Sequence, residues 1–208
     1  MAITPPISGC GATEGHVPSP GPNRRRPMAT ATILVVDDTA EVLEVTSVLL
    51  ENAGYDVLRC ATTRDGLAVL RDGHDVDLLL TDITMPEMDG FELARQARAS
   101  RPSLPIIYLT GYSNLLTEGT VEIFGPILRK PYHRDDLTRQ IEELLTKAED
   151  ADLVRVVAME LLQRDPNAFE NAKEAEELAL AQGDLLSAEA WRDIAAAITV
   201  LAGNSGPR

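Results

Sequence analysis

Short apolar runs alternate along the chain with longer segments in which apolar residues recur every three or four positions. Apolar, β-branched runs predict strands buried on both faces, and the second pattern predicts amphipathic helices. Strands are predicted at residues 33–36, 55–61, 77–82, 104–110 and 126–129. Helices are predicted around residues 42–50, 63–71, 91–97, 113–123 and 134–147. This strict alternation predicts an α/β fold with a doubly wound, five-stranded parallel sheet.

The first predicted helix has an apolar stripe and a clear end. Its apolar positions at helical spacing are Val42, Val45, Leu49 and Leu50. Gly54 is expected to end the helix, since glycine tolerates the left-handed conformation that often follows a helix.

After residue 148 the pattern predicts only helices, in a small all-α extension. Neither Pro nor Gly occurs between Tyr132 and Asp165, so the last helix of the sheet domain either continues or restarts near residues 150–152, and runs to Arg164. The Asp165-Pro166-Asn167 segment breaks it, because proline cannot continue a helix.

A helical hairpin is predicted at the end of the chain. Its two helices are residues 168–182 and 185–201, with Gly183 after the first and Asp184 capping the second. Such a hairpin buries too little apolar surface to be stable alone. Trp191, the only tryptophan, is therefore expected either in the core of this subunit or in an interface.

Composition limits the possible functions. A chain of 208 residues fits one ordinary domain and a smaller one. The net charge of -14 argues against a broad nucleic-acid surface, and no apolar run is long enough to span a membrane. Cys10 and Cys60 make a disulfide framework improbable, which fits a reducing, cytoplasmic location.

The first 31 residues resemble a disordered tail. They are rich in Pro, Gly, Ser and Thr, lack apolar periodicity and contain a basic run at Arg24, Arg25 and Arg26. No apolar core of a secretory signal is present in this stretch. Met28 directly precedes the segment expected to be ordered, and we expect it as an alternative start of the protein.

Polar residues follow four of the predicted strands. They are Asp37 and Asp38 after the first strand, Asp82 after the third, Thr110 after the fourth and Lys130 after the fifth. Strand ends of a parallel sheet converge on one edge, where ligands bind. Three carboxylates at one edge repel each other unless a hard cation such as Mg²⁺ neutralises them. Lys130 adds a charge that can pair with a carboxylate or a phosphoryl oxygen.

The segments LVVDD, LLLTDITMPEMDG, YLTGY and LRKPY occur in the order and spacing of one known family. Over residues 31–148 the chain resembles the receiver domain of two-component response regulators. The resemblance implies a flavodoxin-like sheet with strand order 2-1-3-4-5. It also implies three regions: a tail at residues 1–31, a receiver domain at 32–148 and a helical extension at 149–208, which resembles no family that we recognise.

The resemblance also implies a role for each site residue. Asp82 matches the aspartate that accepts a phosphoryl group from a histidine kinase or a histidine phosphotransfer protein. Asp37 and Asp38 match the acidic pair that binds Mg²⁺, with Asp82 as a further ligand. The backbone carbonyl of Thr84 matches another metal ligand. The hydroxyl of Thr110 and the ammonium of Lys130 match the groups that bind the phosphoryl group.

One position departs from the family pattern. Family members commonly carry an aromatic residue three positions before the lysine, where this chain has Ile127. An aliphatic side chain cannot swing between an exposed and a buried position with the same effect. Tyr132 or Tyr108 are alternative aromatic residues, although packing is the more common role for each. The Lys130–Pro131 bond is a candidate for the cis form, which the sequence leaves open.

The residues and the resemblance lead to three functional hypotheses. The first is a response regulator, not an enzyme acting on a separate substrate, whose output is a protein contact or a homodimer formed through residues 150–201. The second is a phosphorelay intermediate or phosphate sink with a structural extension. The third, a DNA-binding regulator, is disfavoured because the extension is acidic and lacks a basic recognition helix. No histidine follows His133, so the extension is not a phosphotransfer module.

Overall fold

The computed structural model describes residues 30–111 and 122–203. The strands are β1 (Thr32–Val36), β2 (Asp56–Cys60), β3 (Leu78–Asp82), β4 (Ile106–Thr110) and β5 (Ile127–Arg129). The helices are α1 (Ala40–Asn52), α2 (Thr63–Arg71), α3 (Gly90–Ser100), α4 (Arg134–Arg164), α5 (Ala168–Gln182) and α6 (Leu185–Gly203). Each of the five predicted strands is present, with bounds that differ from the predicted ones by at most two residues.

The five strands form one parallel sheet in the order β2-β1-β3-β4-β5. This confirms the predicted doubly wound fold and its strand order. Because the sheet is parallel, the carboxyl ends of β1, β3, β4 and β5 lie along one edge. The polar residues that follow these strands are thereby brought towards the same place.

Alternate residues of each strand face opposite sides of the sheet, and each side has its own apolar core. On one side, Leu34, Leu79 and Tyr108 pack with residues of α2 and α3. On the other side, Ile33, Leu80 and Ile107 pack with Leu50 of α1 and with the first turns of α4. The central strands β3 and β4 are buried along their whole length, and each begins with an apolar run before its polar end.

The buried side of α1 differs from the predicted one. The fully buried residues are Thr46, Ser47 and Leu50, whereas Val45 is 60% exposed. The assignment of Val45 to the apolar stripe was therefore wrong. The buried side of α1 contains two hydroxyl groups, so a search for apolar residues does not find it. Ser47 Oγ donates to the Leu43 carbonyl at 2.7 Å, and Thr46 is hydrogen-bonded as described below. The predicted helix end at Gly54 is confirmed, with φ at +94°.

The turn after β3 is tightly packed around Gly90, the first residue of α3. Asp89 caps this helix, its carboxylate accepting from the Glu92 amide at 2.8 Å. The Gly90 amide donates to the Ile83 carbonyl at 2.9 Å. A Cβ atom at Gly90 would lie 2.1 Å from the Asp82 carbonyl oxygen. Backbone crowding therefore requires glycine here.

Replacing Gly90 with alanine is expected to destabilise the fold by about 1–3 kcal/mol, the usual range for overpacking. The Cβ must push the backbone of Asp82 or the first turn of α3 aside. Urea unfolding monitored by circular dichroism measures the loss. Gly73→Ala is the matched control, since a Cβ at Gly73 would meet no other part of the chain within 4 Å, although its φ of +80° carries its own strain. A Gly90→Ala loss no larger than that of Gly73→Ala would contradict the crowding argument.

The chain divides into two compact units between Leu145 and Thr146. This division falls inside α4, which is one uninterrupted helix from Arg134 to Arg164. Of the two predicted alternatives, the continuous helix is the one observed. We call the described part of the second unit, residues 146–203, the helical unit.

The helical unit has a small core, made mainly of alanines. Ala158, Ala172, Ala195 and Ile198 are buried in it, and the half-buried Trp191 packs against them. Trp191 thus contributes to the core of its own subunit. The predicted hairpin is confirmed: Gly183 is left-handed at φ +75°, and the Asp184 carboxylate accepts from the Ser187 amide at 3.1 Å.

Two predictions concern residues outside the described ranges. The tail at residues 1–31, with Cys10 and the Arg24–Arg26 run, lies almost wholly there, as does most of the helix predicted at 113–123. Among the described residues, no helix combines the length and apolar character that crossing a membrane would require.

Candidate functional site

The sheet register brings the predicted site residues to one edge. Asp37 directly follows β1, and Asp82 is the last residue of β3, whose Thr81 is paired with Val36 of β1. Thr110 ends β4, and its partner Arg129 ends β5 just before Lys130. Each of these side chains therefore leaves a strand at the carboxyl edge of the sheet. Their convergence follows from parallel pairing and not from nearness in sequence.

Lys130 joins two buried carboxylates at this edge. Its Nζ lies 2.6 Å from Oδ2 of Asp37 and 2.6 Å from Oδ1 of Asp82. Asp37 is 1% exposed and Asp82 is 7% exposed, so both carboxylates are largely removed from water. Charged groups in such surroundings are stable only when paired and hydrogen-bonded. The ammonium of Lys130 meets this requirement for both.

The second oxygen of each carboxylate is held by the backbone. The Thr39 amide donates to Oδ1 of Asp37 at 3.0 Å, and the Thr84 amide donates to Oδ2 of Asp82 at 2.7 Å. Asp82 is therefore fixed in orientation by one N–H and one ammonium. Thr110 is anchored through its carbonyl, which accepts from the Lys130 amide at 2.7 Å, and it is 6% exposed.

The protonation equilibria reflect this environment. Burial raises the pKa of the Asp82 carboxyl above its ordinary value, and the hydrogen bond and charge of Lys130 oppose this shift without cancelling it. Burial lowers the pKa of the Lys130 ammonium, but its hydrogen bonds to Asp37 and Asp82 outweigh that effect, and the net shift is upward. The Lys130 ammonium therefore stays charged, and it lies beside an Asp82 carboxylate that burial makes more basic.

A cavity of about 280 Å³ opens beside Asp38. Asp38, which is exposed, lines it together with residues 61–65 and 85–87. The turn after Asp82 forms part of its wall, and there Glu87 has the left-handed φ of 65°. The two residues of the predicted acidic pair therefore have different environments: Asp37 is buried against Lys130, and Asp38 faces this cavity.

The predicted ligands of Mg²⁺ are the side chains of Asp37, Asp38 and Asp82 and the backbone carbonyl of Thr84. Within residues 30–111 and 122–203, no three Asp, Glu, His or Cys side chains are grouped so as to hold a metal ion as they stand. Lys130 lies between Asp37 and Asp82 instead. The donor chemistry still fits Mg²⁺, which prefers carboxylate oxygens and retained water. Asp37 and Asp82 together carry one negative charge more than Lys130 compensates, and a cation would neutralise it.

The aromatic residue near Thr110 lies on β4 and not on β5. Tyr108 is fully buried, pairs across the sheet with Ile127, and its ring centroid lies 5.0 Å from that of Phe91. Its hydroxyl accepts a long contact of 3.4 Å from the Phe124 amide. Tyr108 is thus a core residue, in agreement with the packing role considered for it.

A hydrogen bond that was not predicted from the sequence links α1 to the segment after β5. The hydroxyls of Thr46 and Tyr132 lie 2.6 Å apart. Tyr132 follows the Lys130–Pro131 peptide bond, which is cis. No signal in the sequence pointed to this contact, because the burial of Thr46 depends on a partner 86 residues away.

Comparisons with known proteins agree with this geometry. The family model described as the response regulator receiver domain matches residues 33–142. The response regulator receiver protein CpdR of Brucella abortus (strain 2308) is 36% identical over 118 residues, which are 56% of this chain and 98% of CpdR. The transcriptional regulatory protein GlrR of Escherichia coli (strain K12) is 31% identical over 123 residues, which are 58% of this chain but only 28% of GlrR.

Solved structures give the same result. A CheY-like receiver domain protein from Methanospirillum hungatei JF-1 is 35% identical, with a TM-score of 0.51 over 58% of this chain and 98% of that chain. A receiver protein from Sinorhizobium medicae WSM419 is 30% identical, with a TM-score of 0.52 over 57% of this chain and 97% of that chain. The family match ends at residue 142, before the helical unit. The chain therefore belongs to the response regulator receiver family, and its matched part is the receiver domain of a two-component response regulator.

Proposed function

We propose that Asp82 accepts a phosphoryl group from a phosphohistidine of a histidine kinase or a histidine phosphotransfer protein. The observation that carries the proposal is the position of Lys130 Nζ, 2.6 Å from both Asp82 and Asp37 at the carboxyl edge of the sheet. Membership of the receiver family supports it, because receiver domains interact with such partners.

The residues of the site divide the work of phosphoryl transfer. The Thr84 amide holds Oδ2 of Asp82, so that the other oxygen, Oδ1, is directed towards Lys130 and is available as nucleophile. Attack of this oxygen on phosphorus forms an acyl phosphate, and the phosphorus–nitrogen bond to the imidazole breaks. Lys130 then compensates the negative charge on the transferred oxygens, and the Thr110 hydroxyl serves as a donor to them.

Magnesium belongs to the same proposal. Receiver domains generally bind Mg²⁺, and Asp37, Asp38, Asp82 and the carbonyl of Thr84 would hold it here. When bound, the ion would supply positive charge against the phosphoryl oxygens. The chain contributes the carboxylates, and Asp38 among them lines the cavity of about 280 Å³.

We propose that the output is a contact with protein and not with DNA, and that the chain itself is no enzyme towards a separate substrate. The sequence of residues 149–208 supports this, because acidic residues outnumber basic ones in it and it contains no basic recognition helix. The alternative is a phosphorelay intermediate or phosphate sink. Reverse transfer to a phosphotransfer protein would favour a relay, and rapid hydrolysis without change in assembly would favour a sink.

Intact mass spectrometry tests the phosphoacceptor directly. The full chain is incubated with Mg²⁺ and acetyl phosphate, beside an Asp82→Asn variant and the matched control Asp89→Asn, which retains a helix-capping side chain outside the pocket. We expect one added phosphoryl group on the wild type and on Asp89→Asn, and none on Asp82→Asn. Addition to Asp82→Asn, or none to the wild type, would refute the proposed role of Asp82.

A further inference from the structure

The second half of α4 exposes a stripe of large apolar side chains. Leu153 is 64% exposed, Val156 is 54% exposed and Met159 is 45% exposed. Spacings of three residues place these side chains on one side of the helix. The residues that α4 contributes to the core of the helical unit are Ala158, Leu161 and Leu162, which point elsewhere. The stripe is therefore apolar surface that the core of this unit leaves open.

Acidic side chains border this stripe at its two ends, on the same side of the helix. At 100° per residue, Glu149 and Glu160 lie beside Leu153, and Asp152 lies between Val156 and Met159. All three are exposed. Glu160 is paired with Arg164 at 2.7 Å, and Arg155 lies beyond the Met159 edge of the stripe. The surface thus combines three apolar anchors with a net negative border.

We propose that this stripe binds a basic amphipathic helix of a partner protein. Exposed contiguous apolar residues on a folded unit mark interaction surfaces, and helix partners use anchors at spacings of three and four residues. Charge selects the partner: a helix with lysine or arginine beside its apolar side pairs with Glu149 and Asp152, whereas Glu160 is already paired with Arg164. A second copy aligned in parallel would bring these carboxylates against their equivalents, and an antiparallel copy centred on Val156 would bring Asp152 against Glu160. The inference deepens the proposed output through protein contacts and rests on that proposal.

A synthetic amphipathic helix of leucine and lysine is the probe for this surface. Its binding to the full chain is measured by isothermal titration calorimetry, beside a peptide of the same composition whose order abolishes the apolar side. We expect the amphipathic peptide to bind more tightly, and its binding to weaken with salt, since ion pairs at the border contribute.

Two variants locate the binding. In Leu153→Ser/Val156→Ser/Met159→Ser the apolar anchors are lost, and we expect the dissociation constant to rise by at least about tenfold. In Leu178→Ser/Leu185→Ser/Leu186→Ser, three comparably exposed apolar residues of the hairpin are replaced, and we expect no change. All six positions are exposed, and circular dichroism verifies that helix content is retained. Equal loss in both variants, or none in the first, would overturn the proposal.

Native mass spectrometry of the same samples tests whether a second copy of this chain binds the stripe instead. A homodimer of the wild type that disappears in the α4 variant would overturn the proposal in favour of a second copy. A monomer that binds the peptide supports it. The outcome is independent of the phosphoacceptor test, because peptide binding by Asp82→Asn remains measurable if that residue fails to accept a phosphoryl group.

Discussion

Replacing Lys130 with methionine is expected to slow phosphorylation of Asp82 by about 10²–10³-fold, the usual cost of removing one positioned charge donor from a buried site. Lys130 Nζ is 2.6 Å from the Asp82 carboxylate, and methionine keeps most of the length of the side chain without its charge. The time course of mass gain with acetyl phosphate and Mg²⁺ measures the rate. Lys147→Met, which removes an exposed lysine of α4, is the matched control and should react at the wild-type rate.

The same variant is expected to lose stability when Mg²⁺ is absent. Without Lys130, the carboxylates of Asp37 and Asp82 remain buried and unpaired, at 1% and 7% exposure. Breaking a buried ion pair costs about 3 kcal/mol at the lower end of its usual range, which suits a lysine whose side chain is 19% exposed. Urea unfolding with EDTA measures this loss.

Added Mg²⁺ is expected to restore part of that stability, because a cation bound by the carboxylates replaces the missing charge. The stabilisation by Mg²⁺ should be larger in Lys130→Met than in Lys147→Met. If Mg²⁺ stabilises neither protein, then Asp37, Asp38 and Asp82 do not form a magnesium site, and the ligand assignment fails. If Lys130→Met unfolds at the wild-type urea concentration with EDTA, the two carboxylates do not depend on the ammonium.

Replacing Tyr108 with alanine is expected to lower the free energy of unfolding by about 3–5 kcal/mol, as for other large aromatic residues in cores. Tyr108 is fully buried, packs on Phe91 and lies beside Ile127 in the sheet. The cavity left by its ring would lie at the middle of β4, two residues before Thr110. Urea unfolding, monitored by circular dichroism, measures the change.

Tyr108→Phe separates packing from hydrogen bonding. It keeps the ring and removes only the hydroxyl, whose contact with the Phe124 amide is long at 3.4 Å. The loss is therefore expected to stay below about 1 kcal/mol. A loss as large as that of Tyr108→Ala would mean that the hydroxyl, and not the ring, secures this strand pair.

The strands were predictable because their signals are local, whereas the strand order 2-1-3-4-5 followed from the resemblance to receiver domains. An apolar run such as Ile33–Val36 must be buried on both faces, and strict alternation with helices leaves few topologies. The helix ends at Gly54 and Gly183 were equally predictable, since a left-handed residue there favours glycine. The candidate site followed from the same logic, because polar residues directly after parallel strands converge.

The buried side of α1 could not be predicted from its apolar residues. Thr46 and Ser47 can be buried because each hydroxyl has a hydrogen-bond partner, the Tyr132 hydroxyl for Thr46 and the Leu43 carbonyl, one turn earlier in α1, for Ser47. The partner of Thr46 lies 86 residues away, so no local pattern contains it. Burial of a polar group depends on such partners more than on its own hydrophobicity.

The sequence by itself determined which strands and helices form among the described residues and which residues stand at the carboxyl edge of the sheet, and its resemblance to receiver domains implied the strand order. Only the tertiary structure decided that Lys130 lies between Asp37 and Asp82 and that Asp38 faces a cavity. It also decided that the stripe from Leu153 to Met159 stays exposed. The physical reason is that strand and helix formation depend mainly on neighbouring residues, whereas ion pairing and burial depend on groups that only folding brings together.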